Sequence, residues 1–505
     1  FPTRRSSDLR PKDVPGWDDM PEAFKPVLRR QMEVYAGFLE FTDHHVGRLF
    51  EAIENLGIAD DTLVYYIIGD NGASAEGSFN GCFNEMSYFN GLQSLETAEY
   101  LTERIDKLGG PESYNHFAVG WAHALNTPYQ WTKQVASHFG GTRNGTIVHW
   151  PKGIQAKGEL RTHSAHVIDV APTILEAAGI PEPVSVDGIQ QDPIDGVSML
   201  KTFNDAKAPE VHETQYFEVM GNRAIYHKGW TAVTKHYTPW IPNVKPALDD
   251  DVWELYDTTT DWAQAKDLSK EMPDKLRELQ RLWIIEATRN KVLPIDDRMF
   301  EKINPDTAGR PTLVKGKTQL LAGGMSHLGE NCVLNIKNKS HSVTAAIVVP
   351  QGGAEGVIIA QGADIGGWSL YAKGGKLKYC YNWGGFKHFM IEGASVMAPG
   401  EHQVRMEFAY AGGGLGKGGK VTLYVDGQKD GEGEVGATLA MIFSADDGLD
   451  VGKDGGSAVS PDYKPGNNSF NGKVKGVQLA IDEAAEDLDH LLDPADVIRM
   501  AMARQ

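Results

Sequence analysis

The sequence predicts an α/β layered domain, a small antiparallel subdomain and a terminal all-β sandwich. Three observations carry this. Apolar residues recur at helical spacing up to Gly57, followed by a compact β-branched and aromatic run at residues 62–68 that stops at Gly69-Asp70-Asn71-Gly72. Short strand candidates cluster between Gln215 and Tyr256, with one helix behind them. Beyond Glu301 glycine becomes frequent, helical periodicity disappears, and strand-like runs alternate with Gly-rich turns.

Residues 1–9 read as a non-native leader, resembling translated sequencing-adapter read-through, and are set apart from the fold. In residues 10–210, Tyr35, Phe38, Leu39, Val46, Leu49, Phe50 and Ile53 mark one helix that Gly57 can end in the left-handed conformation. The run 62–68 reads as a strand buried on both faces, as in a parallel sheet. A second helix has Pro172 in its first turn and Gly179 past its end. Helix, buried strand, polar turn and helix together indicate α/β layering.

In residues 211–300, strands are expected at 215–219, 224–227, 230–234 and 253–256. The following helix starts at Pro273 and lays Leu276, Leu279 and Trp283 on one face. In residues 301–505, strands are expected at 332–336, 343–348, 357–360, 377–381, 404–408, 421–425 and 474–479. Val404, Met406, Phe408, Val421, Leu423 and Val425 should face the core. Val425-Asp426-Gly427 is a hairpin-turn signature. The acidic tail after Asp482 should be partly helical.

The chain has 505 residues and a net charge of -19, which repels nucleic acid and anionic membranes and favours small anionic substrates over long polyanions. No apolar run is long enough to cross a bilayer. Cys82, Cys332 and Cys380 are too few and scattered for a disulfide framework or zinc site, and each reads as a buried small apolar residue.

Asp70 and Asn71 end a strand, the edge at which open α/β sheets bind ligands. A carboxylate beside an amide carbonyl offers two hard oxygens suited to Ca²⁺ or Mg²⁺. A plain turn explains the same residues, since Asp, Asn and Gly favour turns. Lys133 is a compact cation able to hold a sulfate or phosphate oxygen, against the plain alternative of a surface lysine. His138 offers a general acid or, more commonly, a hydrogen-bonded structural histidine. Asp446, Asp447, Asp450 and Asp454 could hold a structural cation or be solvated loop residues.

In order and wording these motifs resemble the formylglycine-dependent sulfatases of the alkaline phosphatase superfamily, and the arylsulfatases among them. Gly69-Asp70-Asn71-Gly72-Ala73-Ser74, with Glu76-Gly77 and Asn84-Glu85, is similar to their second metal-ligand motif. Pro128 through Lys133 to Gly141, then residues 147–154, are similar to their active-site lysine segment. Residues 166–175, 195–198 and 253–257 follow in register, so the resemblance runs from Arg10 to Arg298. Residues 447–452 are similar to the lectin-like extension of some bacterial arylsulfatases.

The resemblance implies a sulfuric ester hydrolase acting on a small-molecule aryl or alkyl sulfate. It implies Ca²⁺ (Mg²⁺ as an alternative) on Asp70 and Asn71, and Lys133 on a sulfate oxygen. A formylglycine made from C/S-x-P-x-R should be the nucleophile. No C/S-x-P-x-R occurs in these residues, nor do the family's upstream aspartate pair and lysine–histidine pair. The expectation is therefore a C-terminal fragment lacking the nucleophile segment and inactive as it stands. A phosphonate or phosphoester hydrolase of the same superfamily, and a carbohydrate-binding or structural protein, are the competing readings. Localisation stays open between bacterial cytoplasm and periplasm, and the oligomeric state stays open.

Overall fold

The computed structural model describes residues 10–241, 244–485 and 489–502. The leader expected at residues 1–9 lies outside them. The chain forms two compact units, one reaching to Gly81 and resuming at Phe117–Asp297, the other Cys82–His116 with the residues from Arg298 onward.

In the first unit a long helix spans Lys25–Asn55, and Gly57 follows it at φ 71°. Only its first turns are buried, through Val27, Leu28 and Gln31, whereas Phe38, Leu39 and Leu49 of the expected stripe are exposed. The next strand, β1 (Val64–Ile67), corrects the expectation of a doubly buried parallel strand. It pairs antiparallel with β2 (Thr146–His149) alone, Val64 opposite His149, and its residues are half-buried to exposed. An apolar β-branched run specifies extended backbone, but burial on both faces needs neighbours, and among the described residues β1 has one. A small hairpin, β3 (Ser185–Val186) and β4 (Ile189–Gln190), follows the helix Val170–Ala178. Gly179 ends that helix in the left-handed conformation at φ 67°, as its sequence predicts.

Four antiparallel strands then form a meander, β5 (Thr214–Val219), β6 (Asn222–His227), β7 (Trp230–Thr234) and β8 (Glu254–Asp257). The helix Pro273–Arg289 covers the sheet, with Leu279 and Trp283 packed on Ile225, Ala232 and Leu255. The Trp283 indole donates to the Phe217 carbonyl at 3.2 Å. This agrees with the expected small sheet and helix.

The second unit is β-rich. Its strands are β9 (Thr318–Ala322), β10 (His341–Val349), β11 (Gly356–Ala363), β12 (Gly366–Lys373), β13 (Lys376–Trp383), β14 (Lys387–Val396), β15 (Gly400–Tyr410), β16 (Lys417–Val425), β17 (Gln428–Ala437), β18 (Leu449–Val451) and β19 (Lys473–Ile481). A six-stranded antiparallel sheet runs β17-β16-β15-β10-β19-β9, and a five-stranded one runs β14-β13-β12-β11-β18. One hydrophobic core joins them, with Val343, Val404, Met406, Phe408, Val421 and Leu423 from the first sheet and Ile359, Trp368, Leu370 and Tyr379 from the second. Val425 packs against that core half-buried. Asp426 and Gly427 take φ 52° and 76°, the left-handed pair that a tight β16–β17 hairpin requires.

Two expectations are corrected here. Residues 332–336 form no strand; a single 3-10 turn ends at Cys332, and Val333, Leu334 and Ile336 plug the core without a ladder. Apolar alternation marks burial, and here burial comes without strand pairing. Cys82 and Cys380 are buried as expected, but Cys332 is exposed. Among the described residues of the tail, a 3-10 turn spans Asp482–Ala485 and an α-helix spans Pro494–Met502.

Candidate functional site

The polar turn after β1 is built around glycines that let three backbone segments touch. A Cβ on Gly72 would fall 1.6 Å from the Gly140 carbonyl oxygen, and one on Gly140 would fall 2.1 Å from that of Gln130. No other residue fits such approaches. Gly72 N donates to the Gly141 carbonyl at 3.1 Å, and Lys133 N donates to the Ala73 carbonyl at 3.1 Å. Asn126 clamps the same place, accepting from Ala73 N at 3.0 Å and donating to the carbonyls of Trp131 and Gly140 at 3.1 and 2.8 Å.

The structure thus brings the Asp70-Asn71 turn and the Lys133 segment together. Asp70 is exposed and Asn71 half-buried, and Asn71 Nδ2 donates to Asp70 Oδ1 at 2.8 Å. That bond leaves the Asn71 carbonyl oxygen and the second Asp70 oxygen to other partners. Both are hard oxygen donors, so the pair fits Ca²⁺ or Mg²⁺ in kind and supplies part of the six to eight ligands that Ca²⁺ takes.

Lys133 does not project freely into solvent. Its Nζ lies 2.9 Å from Glu76 Oε2, with the Glu76 side chain 9% exposed and that of Lys133 32%. Ser74 Oγ donates to the same Glu76 oxygen at 2.7 Å, and Gln134 Nε2 donates to the other at 3.2 Å. Trp131 and Gln134, on either side of Lys133, adopt φ 69° and 74°. Positive φ at a bulky residue costs about 1–3 kcal/mol and persists only where surrounding contacts enforce it. The Asn126 clamp and the glycine contacts supply that enforcement.

His138 is buried, its Nδ1 2.9 Å from Ser137 Oγ and its Nε2 3.2 Å from Glu254 Oε2 on β8. The Tyr256 hydroxyl donates to that Glu254 oxygen at 2.6 Å. Burial pushes the Glu254 carboxyl upward, but the hydrogen bonds from His138 and Tyr256 with the His138 charge outweigh it, and the net shift is downward. Both ring nitrogens of His138 are engaged, as the structural reading of this residue anticipates.

The C-terminal acidic residues brace loops. Asp450 accepts from His327 N at 2.8 Å and Gly455 N at 2.7 Å, and Asp454 accepts from Val459 N at 3.0 Å and the Tyr463 hydroxyl at 2.6 Å. Burial, with the charges of Asp450 and Asp447 added, pushes Asp454 up to about 6.

Sequence reasoning did not assign Glu76, Asn126 or Glu254. Glu76 carried a faint signal, standing two residues after Ser74 within the quoted motif. Glu254 likewise stood within the quoted stretch 253–257 without a role, and Asn126 carried no signal, because its partners Ala73 and Gly140 come from other segments.

Residues 5–180 match the Sulfatase family, and residues 132–282 match the N-sulphoglucosamine sulphohydrolase C-terminal family. An uncharacterized sulfatase of Schizosaccharomyces pombe is 29% identical over 291 residues, covering 57% of this chain and 49% of that protein. An arylsulfatase of Klebsiella aerogenes is 26% identical over 205 residues, 41% of this chain and 40% of that protein. The chain therefore matches about half the length, or less, of these relatives. A crystal structure of Ps i-CgsB in complex with k-i-k-neocarrahexaose aligns over 58% of this chain and 50% of its own, at 20% identity and a TM-score of 0.36.

Proposed function

The chain belongs to the sulfatase family, and on that premise we propose that it serves a sulfuric ester hydrolase, an arylsulfatase converting aryl or small alkyl sulfate esters to alcohol and sulfate. The observation that carries the reading is Lys133, anchored by its backbone to Ala73 and by its ammonium to Glu76, beside the oxygen donors Asp70 and Asn71. A sulfate ester needs its non-bridging charge neutralised as the S–O bond to the alcohol breaks. Lys133 supplies one fixed cation for that charge. Asp70 and Asn71 would hold a divalent cation, Ca²⁺ by preference and Mg²⁺ as an alternative, which when bound polarises the sulfate.

Covalent catalysis in this reading uses a formylglycine, whose C/S-x-P-x-R precursor is not among these 505 residues. On that account the chain as given does not turn over sulfate esters. Residues 10–210 are proposed as sulfatase domain, residues 211–300 as a small subdomain and residues 301–505 as a lectin-like sandwich extension. The two antiparallel sheets with one shared core support the last assignment. The proposed partner is a small-molecule sulfate ester rather than nucleic acid or membrane, in keeping with the net charge of -19. No helix among the described residues is long and apolar enough to cross a membrane.

The test is turnover of 4-nitrophenyl sulfate beside 4-nitrophenyl phosphate and a phosphonate monoester by the full-length gene product. The reading expects kcat/KM to favour the sulfate. Preference for the phosphorus esters would replace it with the phosphohydrolase alternative.

A further inference from the structure

A cavity of about 320 Å³ opens in the first unit, and none of Asp70, Asn71 and Lys133 lines it. Its walls are almost wholly apolar, formed by Trp17, Met20, Leu28, Phe79 and Trp121. The two indoles lie 5.9 Å apart at 46°, and the Trp121 N–H is already spent on the Leu28 carbonyl at 2.9 Å. Three polar side chains, Arg10, His123 and Thr127, interrupt the lining. His123, only 5% exposed, lines the cavity, and among the described residues its Nδ1 has no hydrogen-bond partner.

A buried ring nitrogen without a partner is costly, and such groups mark places where a ligand or water completes the bonding. Burial pulls the His123 imidazole down to about 4, and the Arg10 guanidinium adds to the shift, so the ring is neutral at physiological pH. A neutral imidazole in an apolar cavity selects a hydroxyl, which can donate or accept as the tautomer requires. An anionic group is disfavoured. Arg10, the cation at this site, is engaged with Asp19 at 3.2 Å and with the Val14 carbonyl at 2.9 Å.

We propose that this cavity binds a small aromatic alcohol of the phenol class, its ring packed between the tryptophan-rich walls and its hydroxyl hydrogen-bonded to His123 Nδ1. The site is separate from the Lys133 turn and does not depend on the sulfatase reading. If that reading holds, the cavity takes the phenol that an aryl sulfate releases and excludes the sulfated form.

Calorimetric titration of the chain with 4-chlorophenol, chlorobenzene and phenyl sulfate tests this, alongside the His123→Phe and Ala124→Phe variants. The proposal expects 4-chlorophenol to bind at least tenfold tighter than chlorobenzene or phenyl sulfate. His123→Phe should abolish the preference for the hydroxyl, and Ala124→Phe, which narrows the cavity, should weaken both neutral ligands. Equal affinity of the wild-type chain for 4-chlorophenol and chlorobenzene would overturn the proposal, as would no binding of either, or an unchanged preference in a folded His123→Phe chain. The wild-type comparison decides the matter even if a variant fails to fold.

Discussion

Lys133 Nζ lies 2.9 Å from Glu76 Oε2, so the cation expected to meet a sulfate oxygen is held by a carboxylate fifty-seven residues earlier in the chain. Because Ser74 and Gln134 donate to the same carboxylate, Glu76 ties the turn after β1 to the Lys133 segment. Replacing it by Gln keeps the volume and removes the charge. Glu76→Gln should lower stability by about 1–3 kcal/mol, the usual cost of weakening a largely buried charged hydrogen-bond group. Urea unfolding should show a lower midpoint with an unchanged slope.

Glu254 should make the first unit acid-sensitive. Its carboxyl titrates below its ordinary 4.5 despite burial, because His138 and Tyr256 donate to it. The ionised form is therefore favoured in the folded state. That stability is present above the unfolded value near 4.5 and is lost as pH falls through the lower folded value. Glu254→Gln should remove this part of the acid slope, measured as the midpoint of urea unfolding between pH 3 and pH 6.

Glu96 should act in the opposite sense. Burial pushes its carboxyl up to about 7 even though Phe83 N, Asn84 N and Ser87 Oγ all bond to it. A raised carboxyl holds its proton longer in the folded state than in the unfolded one. Its contribution is complete below about 4.5 and is lost as pH rises through about 7. Glu96→Gln should flatten the decline in stability between pH 5 and pH 8, followed by the same unfolding measurement.

Leu423 is fully buried and paired across the ladder with Met406. Leu423→Ala should destabilise the β-rich unit by about 2–5 kcal/mol, through lost transfer energy and the cavity left behind. Thermal unfolding should detect it. A substitution at exposed Leu415, outside that core, should change stability by less than about 0.5 kcal/mol.

The sequence was most legible where pattern and pairing agree. Residues 404, 406 and 408 alternate with polar neighbours and face one core, as do 421 and 423, so the side-chain period of two sufficed. β17 escaped notice because Gly431, Gly433 and Gly436 interrupt a polar run; only its pairing with β16 makes it a strand. β12 opens on Gly366 and Gly367, both at φ near 150°, a start that reads as a turn. β1 shows the reverse failure, since its apolar composition reported β-propensity correctly and burial wrongly. At the candidate site, Asp70, Asn71 and Lys133 could be named because they sit in contiguous motifs. Glu76 and Asn126, which hold them in place, act across gaps of 57 and 53 residues.

The central claim, that Lys133 contacts the sulfate of a sulfuric ester, is tested most directly by steady-state turnover of 4-nitrophenyl sulfate by the full-length gene product with and without Lys133→Ala. Loss of one fixed cation that stabilises transferring charge should lower kcat/KM by about 100- to 1000-fold, the size seen when one such donor is removed. The folded-state stability of the variant should stay within about 3 kcal/mol of wild type. Turnover unchanged in a folded Lys133→Ala enzyme would contradict the account and place the sulfate elsewhere.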